Sequence, residues 1–313
     1  MLHFLTTPDP ARWDACVAAS PGARPYVQAW WLAATAGRWS AVVELGPAGE
    51  YRSLLPLPRQ WRLGWQVYQP LFTQQLGLVL TPASEHRNLA DYLQLAARHC
   101  AHFYQQLPPG PLPALPPGFR ATERLTYHLD LMPPAAELIR AYSPDHRRRL
   151  RRNQELPQPL QVTTGADLEE LLRLFLSYRG AAHTGLHPRH YARLRRVAAA
   201  AQAHGAAELR QVRHPATGEL LAGALFIHYA GGVIYLFAAA SAAGRTAGAP
   251  LLLLDEALRR HAGQPGGTFD FEGGSLPGIG RFFASFGARP VLYPALTFTR
   301  PSWFTPLASW IRP

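Results

Sequence analysis

The densest run of reactive side chains is Phe269-Asp270-Phe271-Glu272-Gly273-Gly274-Ser275, followed two residues later by Pro277-Gly278-Ile279-Gly280-Arg281-Phe282. On an extended strand the period of two puts Asp270 and Glu272 on one face and Phe269 and Phe271 on the other. Two carboxylates in one environment can accept or orient a proton, and the glycines behind them let backbone come close to a substrate. Arg281 follows with a forked guanidinium suited to a carboxylate or phosphate. The same spacing equally serves acids that only brace neighbouring loops.

Three further groups have chemical potential. In Tyr178-Arg179-Gly-Ala-Ala-His183, Arg179 and His183 are four apart and share a helical face, and His183 can titrate near neutral pH. Structural roles, with Tyr178 in the core and Arg179 in water, fit the same residues. Arg147 to Arg152 forms a basic run that either meets phosphates or lines a solvated helix face. Trp303-Phe304 and Trp310-Ile311 near the C-terminus are expected to pack on the body of the protein, the alternative being contact with a membrane interface near lipid-linked substrates.

The elements that must position these residues are legible in outline. Ala41 to Leu45 and Tyr51 to Leu57 flank a Gly/Pro turn and predict a hairpin; Glu208 to Val212 and Leu220 to Tyr229 predict a second one around His214-Pro-Ala-Thr-Gly218. The two turns occupy equivalent places, a weak internal repeat that suggests a duplicated unit. Helices are expected over 25–37, 85–107, 166–177, 188–204 and 251–262, and strands over 119–131, 233–239 and 268–272. Ser143-Pro144-Asp145 opens a helix, with an N-cap hydroxyl, a proline in the first turn and an acid at the positive dipole end. Residues 242–250 read as a Gly-bearing loop at the mouth of a helix, a place where ligands meet backbone amides.

Composition narrows the class. The 313 residues are 48% hydrophobic, enough for a core in each of two domains. Cys16 and Cys100 stand apart with no Cys/His cluster, so neither a disulfide framework nor a metal site is expected. No secretion leader and no membrane-spanning run are visible, and a cytoplasmic, soluble protein is expected. The net charge is +11, yet all 31 basic residues are arginine, which reads first as the signature of a GC-rich genome. Without lysine, Schiff-base chemistry is excluded.

The run from Asp270 through Phe286-Gly287, with the following strand that carries Tyr293, resembles the closing signature of FemAB-like proteins of the GNAT superfamily. Tyr68 to Gly77 and Tyr142 to Arg152 are similar to further segments of these proteins. An additional glycine splits the Glu-Gly-Ser element here. The resemblance implies an α/β chain of two GNAT-like domains, at 1–140 and 141–313, with mixed central sheets flanked by helices and the active cleft in the second. It implies acyl or aminoacyl transfer to an amino group in cell-envelope or polysaccharide assembly. Asp270 and Glu272 would handle the amine proton, and Tyr178, Arg179, His183, Ser275, Arg281 and Tyr293 would bind substrate. Arg245 and Gly248 match part of the loop that holds CoA pyrophosphate, but Pro250 replaces an amide donor. The expected partners are therefore a small-molecule or nucleotide-linked acceptor and an aminoacyl-tRNA, with acetyl-CoA as the alternative donor. A CoA-dependent N-acetyltransferase and a catalytically inactive binding module are the rival readings.

Overall fold

The computed structural model describes residues 1–112, 114–165, 167–184 and 187–300, without the side chains of 178–184. In chain order the first elements are β1 (Leu2–Leu5), α1 (Pro10–Ala18), α2 (Ala29–Thr35), β2 (Trp39–Leu45), β3 (Tyr51–Trp61), β4 (Trp65–Val67), β5 (Val79–Leu80), α3 (Leu89–Ala97), β6 (His102–Gln106) and β7 (Phe119–Asp130). There follow α4 (Ala135–Ala141), α5 (Pro144–Gln154), β8 (Val162–Thr164), α6 (Leu168–Thr184), α7 (Pro188–Ala203), β9 (Ala207–Arg213) and β10 (Leu220–Tyr229). The chain continues with β11 (Gly232–Ala240), α8 (Ala242–Ala247), α9 (Ala249–His261), β12 (Thr268–Asp270), α10 (Pro277–Ala284) and β13 (Arg289–Thr299). Among the described residues, no helix is long and apolar enough to cross a membrane.

These elements form two compact units, Met1–Arg124 with Leu292–Pro313, and Leu125–Val291. The single boundary expected at 140 falls inside the second of these units. Strand pairing sets the division instead. Residues 128–130 of β7 pair with β12, while residues 295–299 of β13 pair with β6, so the chain returns to the first unit after completing the second.

In the first unit, β1, β2, β3 and β4 are successively antiparallel, β4 runs parallel to β6, and β6 is antiparallel to β13. Val42, Leu55, Tyr92, Leu93, Phe103 and Leu296 form its core. Cys16 and Cys100 are free and buried there, and burial pushes their thiols up to about 12 and about 11. Such thiols are poor nucleophiles. The helix expected over 85–107 is shorter than its apolar period suggested. α3 stops at Ala97, and the Ala101 N–H bonds the Trp65 carbonyl, which starts β6 beside β4. Phe103 and Gln105 then alternate inward as strand residues.

In the second unit the order is β7, β12, β11, β10, β9, β8, with β12 parallel to β11 and the other pairs antiparallel. Leu129, Phe226, Leu254, Phe269, Phe271 and Phe286 are among its buried side chains. The expected hairpin is β9–β10. α5 starts as its sequence dictates: the Ser143 hydroxyl accepts from the His146 N–H, Pro144 occupies the first turn and Asp145 lies at the positive end. Residues 242–250 form helix rather than loop. Ser241 caps α8, Gly248 at φ 84° ends it, and Pro250 sits in the first turn of α9.

Candidate active site in the second unit

β12 ends at Asp270, so the alternation expected for Asp270 and Glu272 does not hold. Asp270 is 0% exposed. Its Oδ1 accepts from the Thr126 hydroxyl at 2.8 Å and from the Glu272 N–H at 2.9 Å, and His128 Nε2 lies 3.1 Å from Oδ2 at ion-pair distance. Glu272, half-buried, takes a left-handed φ of 51°, which turns the chain out of the strand. The loop is stitched to β7: the Phe271 N–H bonds the Tyr127 carbonyl, and the Gly273 N–H reaches the Thr126 hydroxyl. Gly274 has φ 116°, and a Cβ there would meet the Tyr127 ring at 2.4 Å. Asp270 thus holds the loop in shape, and Glu272 is the more accessible acid.

No motif in the sequence singles out Thr126 and His128 as site residues. Their signal was present in the alternation of β7, which puts Thr126, His128 and Asp130 on the face opposite Leu125, Tyr127 and Leu129. The pairing Asp270↔His128 brings that polar face to the carboxylate.

β11, α6, α9 and α10 enclose a cavity of about 340 Å³ in this unit. Phe175, Tyr235, Ala238, Leu251, Ile279 and Phe282 give it apolar walls, and Arg149, Arg245, Gly248 and Pro250 stand at its edge. Burial pushes the Tyr235 phenol well above its ordinary range, so it stays protonated. β11 is irregular at this wall. Its register skips a residue between the pairs Leu225↔Phe237 and Phe226↔Tyr235, leaving Leu236 out of the ladder.

Two arginines at the edge are held by backbone carbonyls. Arg149 is the half-buried member of the basic run and donates to the Arg245 and Thr246 carbonyls at 3.1 and 3.4 Å, closing the C-terminus of α8. Arg245 donates to the Ala240 carbonyl at 2.7 Å. Arg147, Arg148, Arg151 and Arg152 are exposed. The backbone amides available to an anion are few. The Gly244 N–H bonds the Ser241 hydroxyl, the Arg245 N–H the Ser241 carbonyl, and the Gly248 N–H the Arg245 carbonyl. Pro250 has none. At the N-terminus of α9 the Ala249 and Leu251 N–H groups are the donors left to meet an anion.

The other expected site residues are scattered. Ser275 and Arg281 are exposed, on the loop before α10 and on α10 itself, while Tyr293 is buried in the first unit. The side chains of Tyr178, Arg179 and His183 lie outside the described residues, as do Trp303, Phe304, Trp310 and Ile311. α5 and α10, which carry two of the motif segments, pack together. Ser143 N–H bonds the Ser285 carbonyl, and Tyr142 and His146 stand edge-on to Phe286.

Elsewhere in the unit, Glu208, His228 and His261 bring three potential metal-ligand atoms within 4.8 Å of one another. Glu208 is already ion-paired to Arg210 and Arg260, and its other oxygen meets His228 Nε2 at 3.1 Å. This arrangement satisfies the carboxylate without a metal.

Comparison with known families matches residues 140–278, which lie within the second unit, to the acetyltransferase (GNAT) domain. The chain as a whole shares the fold of tandem GNAT structures, and the GNAT part of the resemblance is supported by the family match over 140–278. A FemX crystal structure is similar over 93% of this chain and 96% of its own, at 14% identity and a TM-score of 0.62. A tandem GNAT protein from the clavulanic acid biosynthesis pathway matches over 96% and 100%, at 17% identity and TM-score 0.54. L-PGS from Bacillus licheniformis matches over 94% and 92%, at 12% identity and TM-score 0.54. No curated protein matches the sequence. At these identities the likeness establishes the fold, and function has to be argued from the site.

Proposed function

We propose that this protein transfers an acyl or aminoacyl group to an amine, with the acyl end of the donor in the cavity of the second unit. The observation that carries the reading is the irregularity of β11 on the cavity wall. Attack of a neutral amine on a carbonyl builds an oxyanion, and backbone released from a ladder beside an apolar cavity is where donors to it can be aimed. Protonated Tyr235 adds an O–H on the same wall. Glu272 takes the amine proton, Asp270 positions the loop that presents Glu272, and Arg281 and Ser275 bind the acceptor from the exposed side of that loop.

For the donor, the spent amides around Gly248 and the proline at position 250 weigh against CoA. The arginines of α5 favour an aminoacyl-tRNA or a nucleotide-linked compound. Aminoacyl transfer in cell-envelope assembly is the setting this suggests, in keeping with the FemX-like fold. Melting the full chain with each donor tests the choice. A ligand at 100 times its dissociation constant stabilises a fold by about 2.7 kcal/mol. We expect millimolar acetyl-CoA to leave the Tm unchanged, and an aminoacyl-tRNA to raise it in a way that fades with salt. A saturable shift with acetyl-CoA would replace this reading by a CoA-dependent N-acetyltransferase.

A further inference from the structure

The first unit carries an apolar projection that the proposed reaction does not use. β3 and β4 pair as Arg59↔Val67, Gln60↔Gln66 and Trp61↔Trp65, and the turn between them is Arg62-Leu63-Gly64. Leu63 is 101% exposed and Trp61 66% exposed. Leu63 also holds a left-handed φ of 50°, where glycine or asparagine would be relaxed. The chain therefore tolerates backbone strain at a position where it also places a large apolar side chain fully in water. Trp61 and Trp65 pack edge to face at 5.3 Å.

The charge around this tip has one sign. The Arg59 guanidinium lies 4.3 Å over the Trp65 ring, Arg62 is in the turn, and Arg38 is close enough for its like charge to act on Arg59. Among the described ion pairs, no carboxylate meets Arg38, Arg59 or Arg62. Residues 36–84 hold two acids, Glu44 and Glu50. Both lie at the far end of the β2–β3 hairpin: Glu44 pairs with Ser53, and Glu50 closes the turn.

We propose that the β3–β4 tip is a docking site for an anionic phospholipid surface. Leu63 and Trp61 enter the boundary between headgroups and acyl chains, where indole rings are most at home, and the exposed Arg38 and Arg62 meet lipid phosphates, while Arg59 braces Trp65 and donates to the Thr6 carbonyl. A protein groove would have to enclose Leu63 from all sides and supply carboxylates for Arg38 and Arg62. A lipid surface provides apolar depth and negative charge in one plane.

Co-sedimentation of the full chain with vesicles tests this, using phosphatidylcholine alone and phosphatidylcholine with a third phosphatidylglycerol, at low and high salt. Binding is expected to the anionic vesicles only and to weaken with salt. Leu63→Gly relieves the left-handed strain and so leaves the fold intact, which a melt verifies. It should weaken vesicle binding about tenfold or more, since burying one leucine contributes about that factor. Arg62→Gln should weaken binding about fivefold. The proposal fails if anionic vesicles do not retain the wild type at low salt, or if Leu63→Gly binds as well as wild type. It fails equally if the wild type self-associates in a sizing column and Leu63→Gly abolishes that instead, which would make the tip a protein interface.

Discussion

Asp270 draws its partners from β7, with Thr126 144 residues away in the chain, and from the peptide immediately ahead of it. A buried carboxylate is tolerated only when such donors are aimed at it, so the residue is best tested by separating shape from charge. Asp270→Asn keeps an Oδ1 acceptor for the Thr126 hydroxyl and the Glu272 N–H, and it should fold with a small loss. Asp270→Leu strands both donors and should cost about 1–3 kcal/mol for each, read as a fall in the denaturation midpoint. Glu272→Gln should melt as wild type yet lower turnover about 10²-fold in an acyl-transfer assay; unchanged turnover would remove Glu272 from the chemistry. Gly274→Ala pushes a methyl group against the Tyr127 ring at φ 116° and should destabilise the fold by about 1–3 kcal/mol in a melt. The sequence displayed the acids, the glycines and the polar face of β7, but a two-residue period cannot reveal that the strand stops at Asp270. The turn that follows depends on Thr126 and Tyr127, which reach it only once β7 and β12 have paired.

Elements were readable where local chemistry alone decides them. The start of α5 and both hairpins follow from caps and turn residues within a few positions of one another. α3 and residues 242–250 followed other rules. In the first case the apolar period ran on through Cys100 and Phe103 while pairing with β4 claimed the segment for β6. In the second, glycines and a proline that suggest a loop instead serve as the end of one helix and the first turn of the next. Two substitutions probe these elements. Ser143→Ala removes the cap on the His146 N–H and should cost about 1 kcal/mol in a denaturant titration. Arg149→Ala uncovers the last carbonyls of α8 and takes one cation from the cavity edge, so it should weaken donor binding more than it lowers the Tm. If the loss in Tm dominates, Arg149 is a brace and the donor lies elsewhere.

For the whole molecule, acidity is the sharpest lever. Arginine does not titrate below pH 12, so between pH 7.5 and 5.5 the histidines do most of the changing. His146 and His261 are among the histidines of the second unit held below the ordinary 6.5. His146 is shifted down by burial and then by the charge of Arg149, with Asp145 opposing, while its ring packs on Phe286 and Phe282. His261 is shifted down by burial and then by the like charge of His228, against the pull of Glu208. A histidine with a depressed folded pKa binds fewer protons in the native than in the unfolded state at pH below 6.5. The unfolded chain therefore gains protons first as pH falls, and native stability drops from pH 6.5 downward until each folded pKa is passed. Above pH 7 both states are neutral at these positions and no such slope exists. The Tm should be flat from pH 8 to 7 and fall by several degrees by pH 5.5. His146→Phe places a ring that cannot take a proton in the same aromatic cluster, so it should melt near wild type at pH 7.5 and lose part of the acid-side slope; His261→Gln should remove a further part. A wild-type Tm unchanged between pH 7.5 and 5.5, or an acid-side slope that neither substitution reduces, would mean that His146 and His261 pick up protons in the folded state as readily as in the unfolded chain.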